Sequence, residues 1–152
     1  MTAGISHFAI RVLDLAAAER FYCGVLGLPV RRRWPNPTGS GDRSLWLETG
    51  DSAGTFLALE VSAAPELGTS GDATRNSEHG GHHLLALRIT SGQRTTFEAR
   101  LSAAGVAVSH RTAFTIYFKD PEGNFLGLSH YPDSVADASP ASAISSGTGE
   151  PA

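Results

Sequence analysis

The sequence contains the same short pattern twice, and this repeat limits the folds open to the chain more than any other feature. Residues 7–12 (HFAIRV) match residues 84–89 (LLALRI). Each copy is followed by a short polar break, a helical pattern, a glycine and a valine-containing strand pattern. Self-similarity of this kind indicates one supersecondary unit used twice, with any central site built from both copies.

Composition and charge narrow the class of protein. The chain has 152 residues, of which 41% are hydrophobic and 18% charged, as expected for one globular unit or two small modules that share a core. A formal net charge of −3 gives no electrostatic footprint for nucleic acid. The basic run at residues 31–33 therefore needs a local explanation, either a solvated strand end or an anion contact.

Targeting and membrane signals are not found in the sequence. No charged segment followed by an apolar one opens the chain, and no apolar run approaches about 18 residues. We therefore expect neither export nor a membrane span, and a cytoplasmic protein is the default prediction.

The first copy of the repeat predicts a β-α-β-β-β module over residues 1–62. Alternation over residues 5–12 predicts a strand that buries Phe8, Ile10 and Val12 and turns the residues between them to the other face. Asp14 is the predicted cap of a helix that ends at Gly27. Three further strands are predicted at residues 28–34, 44–48 and 55–61.

The second copy predicts the same order over residues 82–132. A strand at residues 83–90 leads to Ser91 as the candidate helix cap, and the helix ends at Gly105. The remaining strands are predicted at residues 106–109, 115–118 and 125–131. The unperiodic residues 63–81 are interpreted as a connector, and the composition of residues 133–152 predicts a disordered tail.

Several motifs together resemble the vicinal oxygen chelate superfamily, which includes glyoxalase I, extradiol dioxygenases, fosfomycin-resistance enzymes and bleomycin-binding proteins. They are the first strand, Phe21-Tyr22 ahead of Leu26-Gly27-Leu28, and the segment YFKDPEGN at residues 117–124. The resemblance covers residues 5–132. It implies an α+β fold of two paired β-α-β-β-β modules, whose curled, open-barrel sheets surround a central cup for a ligand or metal, and usually a homodimer.

The resemblance also implies metal ligands on the first strand of each module and on the last strand of one or both. His7 is at the first-strand position, whereas the equivalent Leu84 cannot ligate a metal and His82 lies two residues earlier. Gly127 replaces the carboxylate of the family pattern. A buried carboxylate in the apolar strand 55–61 needs a partner, so Glu60 is a further candidate. His7, His82 and Glu60 would suit Fe(II), Zn(II) or Mn(II).

Other residues are candidates for contact with a small molecule in the cup. Trp34 and Trp46 flank the turn-rich segment 35–43 and would wall a pocket for a flat ligand. Arg11 and Arg88 face the cup by strand alternation, and a buried arginine needs an anion, a carboxylate or solvent. The predicted ligand-binding set is Arg11, Trp34, Trp46, Arg88, Tyr117 and Gly127.

Two functions of different classes remain open from the sequence. One is a metal-assisted lyase, isomerase or dioxygenase of glyoxalase type, acting on a small oxygen-rich molecule, in which Glu60 binds the metal or acts as a catalytic base. The other is a metal-free protein that binds an antibiotic or natural product. His7 and Glu60 favour the first, and Leu84 and Gly127 favour the second.

Overall fold

Two four-stranded sheets with the same strand order make up the structure, a computed structural model that describes residues 4–61 and 83–132. The strands of the first sheet are β1 (His7–Val12), β2 (Val30–Pro35), β3 (Asp42–Glu48) and β4 (Phe56–Val61), in the order β1-β4-β3-β2. Those of the second are β5 (Leu85–Arg88), β6 (His110–Arg111), β7 (Thr115–Lys119) and β8 (Phe125–Ser129), in the order β5-β8-β7-β6. The fold is α+β, as predicted from the repeat. His82, the connector 63–81 and the tail 133–152 lie outside the described residues.

The registers of the two sheets match at the paired strands. In the first sheet β1 runs parallel to β4, with Ala9 opposite Ala58. In the second sheet β5 runs parallel to β8, with Ala86 opposite Gly127. Leu84 therefore takes the place of His7, as the alignment of the two repeats predicts.

Each module contributes one helix. The first, α1 (Leu15–Glu19), continues as a π-helical segment, Arg20–Val25, which the sequence analysis did not predict. Asp14 caps α1 as predicted, with its side chain accepting from the Ala17 N–H at 2.9 Å. The chain then turns at Gly27, whose φ of +77° favours glycine. Within residues 4–61 and 83–132 no helix is long and apolar enough to cross a membrane.

The second module departs from the sequence prediction at two points. Its helix α2 (Arg94–Ala103) follows a 3₁₀ turn and is capped from Thr90, not Ser91, because Thr90 and Gln93 form a reciprocal capping box. The strand predicted at 106–109 is wrong, and β6 begins at His110. Val106 and Val108 instead pack their side chains against the core.

One core joins both modules. The apolar faces of the two sheets and the inward sides of the helices form a single cluster of buried residues, including Ile10, Val12, Phe21, Tyr22, Leu45, Leu57, Leu59, Leu101, Ile116, Phe118, Leu126 and Leu128. Burial alternates along β1, where Ile10 and Val12 are buried while Ala9 and Arg11 are exposed. The opposite face of each sheet is thus turned away from this core.

A turn of the second module holds the first module in place. The Tyr22 hydroxyl donates to Asp120 Oδ2 at 2.8 Å, and Glu122 Oε1 accepts from the N–H groups of Leu13 and Asp14 at 2.7 and 3.0 Å. Burial, together with the nearby charge and hydrogen bond of Asp120, raises the pKa of Tyr22 well above its usual value of 10.0. The phenol therefore stays protonated and keeps donating.

Replacing the buried phenol tests this link between modules. We expect Tyr22→Phe to lower the free energy of unfolding by about 1–3 kcal/mol, because it removes a charge-assisted hydrogen bond to a buried carboxylate. The matched control is Tyr131→Phe, since Tyr131 is 64% exposed and should give almost no change. Urea denaturation of both variants provides the comparison, and equal stabilities would show that the hydrogen bond contributes nothing.

Candidate ligand-binding face

The face of the first sheet that points away from the core carries most of the residues singled out from the sequence. Strand alternation and register put these side chains on that face, here called the open face: His7, Ala9 and Arg11 on β1; Phe56, Ala58 and Glu60 on β4; Ser44, Trp46 and Glu48 on β3; Arg32 and Trp34 on β2. His7, Arg11 and Glu60 are exposed.

Four rings form a continuous line across the open face, here called the aromatic row: His7, Phe56, Trp46 and Trp34. The rings of His7 and Phe56 are stacked with centroids 4.9 Å apart, and those of Phe56 and Trp46 are stacked at 4.3 Å. Trp46 and Trp34 meet edge to face at 5.1 Å. One ring comes from each strand of the sheet, so the row spans its full width.

Small side chains lie beside the aromatic row. Ala9 and Ala58 are directly opposite each other in the register, and Trp46 lies opposite Ala58 on the other side. Since a methyl group is much shorter than an indole or phenyl ring, the face is lower over the alanine pair than over the row. Ala9 is exposed, whereas Ala58 is only 2% exposed, so Ala9 is the accessible member of the pair.

Arginines surround the β2 end of the row. The guanidinium carbon of Arg32 lies 3.8 Å from the Trp34 ring centroid, and that of Arg43 lies 5.9 Å from it. At the β4 side, Arg31 lies 5.3 Å from the Phe56 centroid and donates to the Gly54 carbonyl. The row thus combines apolar surface with positive charge.

Arg33 differs from the other arginines of the basic run. It forms ion pairs with Glu19 and, at 3.1 Å, with Asp42. Both carboxylates hold the pKa of Arg33 well above its usual range, and the hydrogen bond that Arg33 donates to Glu19 has the largest effect. Within the described residues neither Arg32 nor Arg43 forms an ion pair with a carboxylate.

The second sheet carries an equivalent row. His83 and Phe125 have ring centroids 5.4 Å apart, Phe125 and Tyr117 are stacked at 5.9 Å, and Tyr117 contacts His110 at 5.6 Å. His83, not Leu84, thus supplies the ring contact that His7 supplies in the first sheet. Tyr117 lies opposite Gly127, as Trp46 lies opposite Ala58.

Arg88 and Gly127, two further residues predicted to bind a ligand, both contact neighbouring parts of the second module. Arg88 is exposed and donates to the Tyr131 carbonyl at 3.1 Å, so it is not the buried arginine that the sequence suggested. Gly127 is tightly surrounded, because a Cβ at this position would lie 3.2 Å from Thr115 Cγ2 and 3.5 Å from Leu84 Cδ1.

The predicted metal ligands are not brought together within one sheet. His7 is opposite Phe56, and Glu60 lies four residues further along β4, or roughly 13 Å at about 3.3 Å per residue. Glu60 is directly opposite Arg11 and is exposed, so it is not the buried carboxylate considered as a metal ligand. The other two family positions, Leu84 and Gly127, carry no donor atom.

Residues 4–61 and 83–132 contain no cluster of three histidine, cysteine, aspartate or glutamate side chains able to hold a metal ion. The described residues of one chain therefore do not fit a divalent ion bound by His7 and Glu60 together. His82, the third predicted ligand, is outside the described residues.

Phe56 and Phe125, which link the rings of the two rows, were not among the residues predicted from the sequence. Phe56 shares the face of Ala58 and Glu60 by simple alternation, so its position was available from the strand pattern. The same holds for Phe125, two residues before Gly127. Arg32 and Trp34 also share a face by alternation, because they are two residues apart on β2. The contact of Arg43 with Trp34 crosses from β3 to β2 near the register shift between Trp34 and Pro35, which no sequence signal marks.

Comparison with solved structures agrees with this architecture. A glyoxalase/dioxygenase from Nostoc punctiforme has a TM-score of 0.67 and 20% identity, covering 86% of this chain and 92% of that chain. A mutant of the fosfomycin resistance protein FosX from Listeria monocytogenes, complexed with Mn(II) and a dihydroxypropylphosphonic acid, has a TM-score of 0.61 and 18% identity, covering 86% and 93%. At these identities the likeness shows the fold alone.

A third solved structure is somewhat more similar in sequence. TnmS3, an antibiotic binding protein from Streptomyces, has a TM-score of 0.58 and 26% identity, covering 85% of this chain and 96% of that chain. The comparison with curated proteins finds no match. The sequence profile of the Glyoxalase/Bleomycin resistance protein/Dioxygenase superfamily matches residues 4–128, and the chain therefore belongs to that superfamily.

Proposed function

We propose that this protein binds a flat small molecule on the aromatic row of the first sheet, without using a divalent metal, and serves as a carrier or sequestering protein. The observation that carries the proposal is the unbroken line of four rings beside the alanine pair Ala9 and Ala58. Aromatic side chains contribute large contact areas in small-molecule sites and stack on planar ligands. The similarity to an antibiotic binding protein supports this class of function.

A metal-assisted enzyme of glyoxalase type is the second candidate. His7 keeps the first-strand ligand position of the family, and FosX, which shares the fold, is complexed with Mn(II). Against it stand Leu84 and Gly127, which supply no donor, and the separation of His7 from Glu60. In this alternative Glu60 would bind the metal or act as a base.

We also propose that two copies of the chain complete the cup. In one chain the open face of the first sheet leaves His7, Arg11 and Glu60 exposed, and the second sheet likewise leaves Arg88 and His110 exposed. A two-fold dimer would cover these faces by placing the aromatic row of the first sheet in one copy against the equivalent row of the second sheet in the other copy.

Removal of one ring tests the binding proposal. Both tryptophans of the chain belong to the aromatic row, so intrinsic fluorescence reports directly on it. We expect phenylnaphthylamine, a neutral planar probe, to quench this fluorescence. Trp46→Ala should weaken its binding by about 2 kcal/mol, or roughly 30-fold, as for a desolvated aromatic anchor. For Trp46→Ala, which has lost one of the two tryptophans, isothermal calorimetry measures the affinity for the probe.

The control for this variant is Tyr131→Ala, which removes an exposed ring outside both rows and should leave the affinity unchanged. If both variants bind the probe as tightly as the unaltered protein, the aromatic row is not the site.

Metal content separates the two candidate functions. For protein expressed with iron, zinc and manganese supplied, we expect elemental analysis after dialysis to give well below one metal ion per chain. Treatment with a chelator should leave probe affinity unchanged. A full complement of metal that is lost in His7→Ala would instead favour the enzyme, because three protein ligands reduced to two hold an ion poorly.

Assembly is tested by sedimentation at micromolar concentration. We expect a species of twice the chain mass, because the aromatic rings on the open faces of a single chain are only partly buried. A monomer at all concentrations would contradict the dimer, and it would require the ligand to bind a single exposed sheet face.

A further inference from the structure

We infer that the ligand carries a negatively charged group on one edge of its ring system, and that Arg32 and Arg43 bind this group beside Trp34. The inference rests on the proposed function, because it assigns the chemical class of the molecule held by the aromatic row. A planar aromatic sulfonate or carboxylate has the required chemistry. The arginines, the local charge balance and the dimensions of the row each support it.

The geometry of Arg32 leaves its hydrogen-bond donors free. Its guanidinium carbon lies 3.8 Å from the Trp34 ring centroid, close enough for the planar group to contact the ring. A guanidinium that contacts a ring through its face keeps its N–H groups around the edge, and these fit the two oxygens of an anionic group. Within the described residues, Arg32 and Arg43 donate no side-chain hydrogen bond to a carboxylate.

Local charge is unbalanced at this corner of the sheet. The nearby carboxylates Glu19 and Asp42 are both taken by Arg33, so they do not compensate Arg32 or Arg43. The chain as a whole has a formal charge of −3, so this positive corner runs against its overall charge. An anionic group would supply the missing partner.

Two buried hydrogen-bonding atoms at the same corner also lack partners. Trp34 Nε1 and Ser44 Oγ have none among the described residues, although Ser44 is only 5% exposed. Ser44 lies directly opposite Trp34 in the register. A buried donor without a partner is costly, and a polar group or a water bound at this corner would relieve the cost.

The dimensions of the row indicate where the charge lies on the ligand. Arg32 is opposite Trp46, and Trp46 is opposite Ala58, so the Arg32 backbone is two strand spacings from Ala58. Two spacings correspond to about 10 Å. A ring system of two or three fused or linked rings over the alanines would therefore present an edge substituent to Arg32.

Two probes that differ only in the anionic group test the inference. Anilinonaphthalenesulfonate and phenylnaphthylamine share their aromatic rings, and only the first carries a sulfonate. We expect the unaltered protein to bind the sulfonate at least tenfold more tightly in low salt, with this preference falling as salt is raised. The double variant Arg32→Gln, Arg43→Gln should bind the two probes with equal affinity.

Matched variants isolate the role of the two guanidinium groups. Arg20→Gln removes one positive charge from an exposed position outside the row and should not alter the preference for the sulfonate. Arg32→Lys keeps the positive charge but loses the guanidinium's paired N–H donors. Its preference for the sulfonate should therefore be stronger than that of Arg32→Gln and weaker than that of the unaltered protein.

The outcomes distinguish this inference from the function on which it rests. Equal affinity of the unaltered protein for both probes, or parallel losses of both in the arginine variants, would overturn the anion assignment and leave the aromatic site standing. Failure of the unaltered protein to bind either probe would overturn both. If Arg20→Gln also removed the preference for the sulfonate, net charge alone would explain that preference, and the assignment to Arg32 and Arg43 would be wrong.

Discussion

The buried carboxylate of Asp120 fixes how the two modules meet. Its Oδ1 accepts from the backbone N–H groups of Glu122 and Asn124, and its Oδ2 accepts from the Asn124 amide and the Tyr22 hydroxyl. A charge that is only 6% exposed is tolerated because both of its oxygens are satisfied. From the same turn, Glu122 accepts hydrogen bonds from the backbone N–H groups of Leu13 and Asp14, just before α1. The helices and the apolar sheet faces are thus held on one side, which leaves the other face of each sheet turned away from the core.

The fold was predictable because its main signals are local. The repeat, the two-residue alternation of β1 and the turn at residues 120–124 specify strands, their faces and the order of elements along the chain without knowledge of long-range contacts. The errors fall where two local solutions compete. Thr90 and Ser91 are both good caps, and only the reciprocal bond with Gln93 decides between them. The valines at 106 and 108 suit a strand, but the core contact prevails.

The site was less predictable, because its contacts cross strands. Alternation assigned His7 and Arg11 to one face, and Trp34 and Trp46 were predicted only as walls of a pocket beside residues 35–43. The diagonal contact of Trp46 with Phe56 depends on the register between β3 and β4. The sequence also left the basic run open between a solvated strand end and an anion contact. The structure divides the run, since Arg33 is paired with carboxylates while Arg32 lies against an indole. No sequence pattern shows which arginine has a partner.

The repeat makes the two aromatic rows alike, and the departure from symmetry lies in charge. His110 is opposite Tyr117 in the second sheet, as Arg32 is opposite Trp46 in the first, so an imidazole takes the place of a guanidinium. Rows of similar rings facing each other would hold a flat molecule equally well in either direction. A guanidinium opposite the central ring of only one row breaks this equivalence, because an anionic edge gains that partner in one orientation and not in the other. On the proposal made above, the rings provide affinity and the arginines determine the direction in which the ligand lies.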